Sequence, residues 1–94
     1  ESSRYLEDLS KALLDNPQLK IKLIGHTDNV GSDKFNLKLS IYRAQAIKDF
    51  MVAKGVRPER ILAEGKGLRE SLNANMTEEE RAINRRVELT ILYE

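Results

Sequence analysis

Residues 19–55 read LKIKLIGHTDNVGSDKFNLKLSIYRAQAIKDFMVAKG, and two different periods meet inside that stretch. Leu19, Ile21 and Leu23 alternate with Lys20, Lys22 and Ile24, which is the period-two pattern of a strand with one buried face. Gly25 is expected to end it. His26-Thr27-Asp28-Asn29-Val30-Gly31-Ser32 is then rich in residues that favour turns, so it reads as an exposed loop. From Lys34 to Lys54 the period becomes helical. At 100° per residue, Ser40, Ala44, Ile47, Phe50 and Met51 form one stripe, the expected buried face. Gly55 suits the C′ position, and Arg57-Pro58 blocks continuation. One residue on the stripe does not fit a core: Arg43.

Working outward, Tyr5, Leu6, Leu9, Ala12 and Leu13 share a helical face over Arg4 to Asp15, with Ser3 as an N-cap and Asn16-Pro17 as a stop. Downstream, Ile61 to Glu64 reads as a short strand, Gly65-Lys66-Gly67 as a turn, and the residues through Asn75 as a polar loop. Thr77 with Glu80 matches a capping box, so a short helix carrying Arg81, Ala82 and Ile83 should start there. Val87, Leu89, Ile91 and Tyr93 alternate against Arg86, Glu88, Thr90 and Leu92 in a final strand. Helices interleaved with strands predict an α/β fold, a two-layer α+β sandwich.

The 94 residues fit one domain, 1–94, and leave no room for a second core. With 33% charged and 40% hydrophobic residues, the composition is that of a globular protein. No apolar run approaches the roughly 20 residues a bilayer needs. A formal charge of +1 is too small a field to recruit nucleic acid, and Phe35, Tyr42 and Tyr5 are too scattered for a base-stacking platform. The absence of cysteine excludes disulfides, thiolate catalysis and cysteine-ligated zinc. The chain opens on Glu1 without an initiating Met, signal segment or lipidation box, and so reads as a piece of a longer protein.

Burying an unpaired guanidinium costs several kcal/mol, because the charge loses its hydration and gains nothing in return, so Arg43 needs a partner or a path to water. The helix starts just after the loop bearing Asp28, and Asn36 lies two turns before Arg43 at nearly the same angle. Asp28, Asn36 and Arg43 are thus expected to line one cleft. A carboxylate there can attract an ammonium and a guanidinium can take a carboxylate, which together make a clamp for a free amino-acid head group. The equally open alternative is that Asp28 and Arg43 pair with each other and brace the loop.

Gly25-His26-Thr27-Asp28 with Gly31, Asn36 with Leu39-Ser40 and Arg43-Ala44, Gly65 and Gly67, Asn75-Met76-Thr77, and Arg81 with Asn84-Arg85-Arg86-Val87-Glu88 together resemble the OmpA-like (OmpA/MotB/Pal) peptidoglycan-binding domain over about the last four fifths of the chain. The resemblance implies a mixed sheet with helices on one face in a βαβαβαβ order. It implies a non-enzymatic module that grips the diaminopimelate of the peptidoglycan stem peptide, Asp28 receiving the amine and Arg43 the carboxylate, without cofactor or metal. It also implies that Asn36 and Arg85 line the site, and that loop backbone near Thr27 and Val30 adds hydrogen bonds. Arg85 could equally be a structural pair pinning the last strand to the loop. Asn84 reads as structural, and Ser40 as a small residue that lets the helix close on the sheet.

By the same resemblance the domain faces the periplasm, attached to the outer membrane by parts of the protein outside this chain. The chain departs from the family in two places. The family's first strand, ahead of the first helix, is expected to be missing, which would open a sheet edge to a homodimer. That departure motivates the alternative of a structural assembly domain, for example stator-like, with a degenerate site. The segment Gly67-Leu68-Arg69-Glu70-Ser71-Leu72 lacks the proline and acidic residue expected after the second glycine, and is assigned no role.

Several other signals lead nowhere. His26 with Asp28 is only a two-ligand fragment, no Gly-x-Ser-x-Gly elbow accompanies the single histidine, and Gly65-Lys66-Gly67 lacks the spacing of a phosphate loop. Glu78-Glu79-Glu80 suits the first turn of a helix.

Overall fold

A computed structural model of the chain describes residues 2–69 and 77–92. Its elements are α1 (Ser2–Asp15), β1 (Lys20–His26), α2 (Asp33–Ala53), a single 3-10 turn (Pro58–Arg60), β2 (Ile61–Gly67), α3 (Glu78–Asn84) and β3 (Val87–Leu92). The strands form one mixed sheet in the order β2-β1-β3, with β1 parallel to β2 and antiparallel to β3. This is the α+β two-layer arrangement expected from the alternating periods.

The core lies where α2 crosses the sheet. Ile21 and Leu23 of β1 and Ile61 of β2 meet Ala44 and Met51 of α2, and Leu13 and Val56 close the cluster. From α1, Leu6 and Leu9 pack onto it. The buried stripe of α1 runs through Leu6, Leu9, Ser10 and Leu13, rotated by part of a turn from the expected face: Tyr5 is 65% exposed and Ala12 is exposed. Ser10 is tolerated inside because its hydroxyl donates to the Leu6 carbonyl at 2.7 Å. The helix starts at Ser2, which places Ser3 within it and not at the cap.

The end of α1 is sealed from a distance. Arg60 donates to the carbonyls of Leu13 (2.7 Å), Asn16 (2.8 Å) and Leu19 (3.0 Å), which supplies donors to carbonyls a helix end leaves without partners. The ends of α2 follow the local code. Ser32 is the N-cap, its Oγ accepting from the Phe35 amide at 3.1 Å, and Gly55 takes the left-handed conformation at φ +111° just past the helix. The capping box of α3 is present in both directions: Thr77 Oγ1 accepts from the Glu80 amide and Glu80 Oε1 from the Thr77 amide.

Two glycine readings are corrected. Gly25 does not end β1, and Gly65-Lys66-Gly67 is not a turn. Gly25 sits in the central strand, opposite Gly65 of β2 and Val87 of β3. A Cβ on Gly25 would collide with the Ser40 carbonyl, and one on Gly65 with Ser40 Oγ and, at 2.5 Å, the Ile41 amide nitrogen. These glycines are where α2 lies directly on the sheet, with Ser40 as the small helix residue facing them. Beyond them the pairing of β1 shifts from Gly65 to Gly67, leaving Lys66 as the extra residue of a bulge.

In β3, Val87 and Leu89 reach the core while Ile91 is 42% exposed, so the expected alternation fades along the strand. β3 pairs with β1 alone among the described residues, and no further strand among them shelters Ile91. Tyr93 and the polar loop over 70–76 lie outside the described residues.

Candidate functional site

The loop that leaves β1 is buried at its start. Thr27 is 1% exposed and Asp28 7%, both more enclosed than an exposed loop would allow. Thr27 donates its amide to the Gly67 carbonyl at 2.9 Å and its hydroxyl to the Asp28 carbonyl at 3.1 Å. Val30 donates its amide to Asp28 Oδ1 at 3.0 Å, and its carbonyl accepts from Asn36 Nδ2 at 3.0 Å. The loop is thus an internally bonded turn that Asn36, itself buried, fastens to the start of α2. The amides of Thr27 and Val30 are already bonded inside the protein. They shape the loop, and neither can donate to a ligand without giving up an internal bond.

Asp28 pairs with Arg85, not with Arg43. Arg85 Nη1 stands 2.7 Å from Asp28 Oδ2, and Arg85 Nη2 stands 2.5 Å from Glu78 Oε2. Burial by itself would push the Asp28 carboxyl up. The hydrogen bonds from Arg85 and Val30, with the charges of Arg85 and Arg81, outweigh it and hold Asp28 below its ordinary value. Asp28 is therefore an enclosed yet ionised carboxylate with fixed geometry. Arg85 is held at its other end by Glu78, which also serves the first turn of α3; no local sequence pattern signals this second partner.

Arg43 is half-buried on α2, and its side chain makes no hydrogen bond or ion pair among the described residues. Its guanidinium donors are open. The direct Asp28–Arg43 brace left open by the sequence is therefore not formed, and the bracing role falls to Arg85. Ser40 is fully buried, donating to the Leu37 carbonyl at 2.8 Å and accepting from the Gly67 amide at 2.9 Å, a packing role. Asn84 is likewise fully buried at the end of α3.

His26 is 1% exposed and neither ring nitrogen has a hydrogen bond. Nε2 lies 3.3 Å from Glu88 Oε1, an ion-pair distance, but the alignment is too poor for a hydrogen bond. Glu88 is instead held by Arg86, which contacts Oε2 at 2.9 Å through Nε and at 2.8 Å through Nη2, and its carboxyl sits below the ordinary range chiefly for that reason. Among the described residues no three His, Asp or Glu side chains gather as metal ligands. Among them, too, no helix is long and apolar enough to cross a membrane.

Beside this loop runs a groove of about 300 Å³ between the start of α2 and the end of β2, lined by Asp33, Lys34, Leu37, Lys66, Gly67 and Arg69. Leu68 and Arg69 of the segment assigned no role thus line a concavity. Residues 70–72 of that segment lie outside the described residues.

Comparison with known proteins agrees with this architecture. Residues 1–85 match the model of the OmpA family. The chain is 46% identical over 69 residues to outer membrane protein A of Bordetella avium, covering 73% of this chain and 36% of that protein. It is 40% identical over 75 residues to the peptidoglycan-binding protein ArfA of Mycobacterium tuberculosis, covering 80% of this chain and 23% of that protein. Among solved structures, the peptidoglycan-associated lipoprotein from Burkholderia pseudomallei superposes with a TM-score of 0.91 at 28% identity, over 96% of this chain and 76% of that one. The chain spans about a quarter to a third of the length of the curated relatives it matches. With a family model matched over nearly its whole length and the same fold in a solved relative, the chain belongs to the OmpA family.

Proposed function

We propose that this domain holds peptidoglycan without covalent bonds or catalysis, by gripping the diaminopimelate of the stem peptide, and so anchors an envelope protein to the cell wall from the periplasmic side. The observation that carries the reading is the contrast between its two charged residues. Asp28 is an enclosed carboxylate kept ionised by fixed donors, whereas Arg43 is a half-buried guanidinium with no acceptor among the described residues. A structural ion pair would have used both. A ligand carrying an ammonium and a carboxylate supplies what each still lacks.

Asp28 accepts one bond on each oxygen from Val30 and Arg85, and a carboxylate has about four acceptor positions, so an ammonium can join without displacing Arg85. Arg43 then takes the ligand carboxylate. Arg85 orients Asp28, and Asn36, Thr27 and Val30 keep the loop in the shape that presents it. The names of two relatives support the ligand class: one is called a peptidoglycan-binding protein and another a peptidoglycan-associated lipoprotein.

The test is retention of the folded domain on isolated peptidoglycan. Retention that disappears in both Asp28→Ala and Arg43→Ala, while circular dichroism stays that of the parent, is the expected result. A parent domain that folds and is not retained would overturn the proposal and favour an assembly role.

A further inference from the structure

Arg85 holds two carboxylates at once, and the division of its donors bears on what Asp28 can still accept. Its terminal nitrogens are shared out, Nη1 to Asp28 Oδ2 at 2.7 Å and Nη2 to Glu78 Oε2 at 2.5 Å. A guanidinium frequently meets a carboxylate through two parallel hydrogen bonds, with both nitrogens on one acid. Asp28 receives only one of them, and among the described residues its Oδ1 accepts from the Val30 amide alone. The second nitrogen is drawn away by Glu78.

Charge works in the same direction. A carboxylate closed by an arginine of its own attracts an ammonium poorly, because the guanidinium repels the incoming cation from a few ångströms away. Glu78 is ionised beside that guanidinium: the hydrogen bond from Arg85, chiefly, holds its carboxyl below the ordinary value. Two carboxylates against the one guanidinium leave the trio of Asp28, Arg85 and Glu78 with a negative charge in surplus. Arg81, whose charge also reaches Asp28, has its Nη2 3.6 Å from the other oxygen of Glu78. Glu78 thus opposes both arginines that act on Asp28.

The short helix α3 puts Glu78 in place. It is the first helical residue after the Thr77 cap and stands seven positions before Arg85, two turns along one face. Its side chain is 66% exposed, so it can be replaced without disturbing the core.

Resting on the peptidoglycan reading above, we infer that Glu78 is a positioning residue of the clamp, acting through Arg85: by holding the second arm of that arginine and opposing its charge, it keeps Asp28 singly bonded and open to the ligand's ammonium.

The experiment compares the parent domain, Glu78→Ala, Arg85→Ala and the double variant in calorimetric titrations with free diaminopimelate, and follows the Asp28 carboxyl signal of the parent and Glu78→Ala by NMR as pH falls. Glu78→Ala should bind about fivefold more weakly, the upper size of one exposed charge interaction, with urea unfolding close to that of the parent. In the Arg85→Ala background the same change should have no effect, since the residue through which Glu78 acts is gone. Asp28 should titrate lower in Glu78→Ala than in the parent, because both nitrogens of Arg85 then close on it and a neighbouring negative charge is lost. A residue that only propped Arg85 would move Asp28 the other way, towards its ordinary value. If Glu78→Ala binds as the parent does, weakens binding equally with and without Arg85, or raises the Asp28 titration, the inference is refuted and the clamp stands. Should Arg85→Ala fail to fold, the direction of the Asp28 titration decides alone. If the folded parent does not bind diaminopimelate, the peptidoglycan reading falls and takes the role of Glu78 with it.

Discussion

Replacing Gly25 by alanine is the sharpest test of how α2 is seated. The added Cβ would overlap the Ser40 carbonyl, with Ser40 Cα at 3.2 Å, and these are backbone atoms in the middle of a 21-residue helix. No side-chain rotation relieves the clash, so the helix must lift or the strand must bend. Over-packing a core costs typically about 1–3 kcal/mol, and a rigid backbone contact belongs at the upper end, about 3 kcal/mol. Against this, alanine lowers the entropy of the unfolded chain, a gain of about 0.4–1 kcal/mol. The clash wins, and the net loss is about 2 kcal/mol. For a chain of 94 residues, whose total stability is roughly 5–14 kcal/mol, that is a large fraction. The melting temperature should fall by about 8–16 °C. The assay is thermal and urea unfolding of the parent and Gly25→Ala domains side by side. A variant as stable as the parent, or more so, would show that the helix is not in direct contact with the strand and would refute the account of the glycines.

Three further outcomes follow from the same structure. Asp28 is held below its ordinary value of 3.8, so a folded-state carboxyl that is depressed stabilises the protein above that pH and loses its contribution as pH falls through the folded value. The stability gap between the parent and Asp28→Asn should therefore be full near neutral pH and close progressively below about pH 4 in acid-unfolding curves, and a gap that widens there would contradict the pairing with Arg85. Removing the α3 cap with Thr77→Ala should cost about 1 kcal/mol in urea unfolding, since the Glu80 amide loses its hydroxyl acceptor while the bond from the Thr77 amide to Glu80 Oε1 needs no hydroxyl. Arg85→Ala should weaken wall retention less than Arg43→Ala, because Asp28 keeps its Val30 bond and its charge; equal losses would place Arg85 in direct contact with the ligand.

The site is legible in part because its residues fall close together in the chain. Asp28, Val30, Asn36 and Arg43 occupy one loop and the helix after it, and both the oddity of an arginine on an apolar stripe and the turn composition of the loop are visible in a single window. Arg85 is ambiguous in the sequence, since its pairing spans 57 positions and local periodicity carries no information at that range. Gly25 and Gly65 mislead for a related reason. A glycine that breaks a strand and a glycine that admits a helix look the same in the sequence, and the difference lies in what crosses above it.

Sequence alone therefore determined which stretches of this protein are helix and strand, the Gly55 stop of α2 and the capping box of α3, because hydrophobic period, capping side chains and turn residues act over four or five positions at most. It also brought out the family resemblance and the two charged residues on which the functional reading rests. Only the tertiary structure decided which cation Asp28 binds, which face of α1 is covered, and that the Gly-Lys-Gly segment is a bulged strand leading into a cationic groove. Those outcomes depend on strand register and on where α2 crosses the sheet. Both are set by packing between segments far apart in the chain.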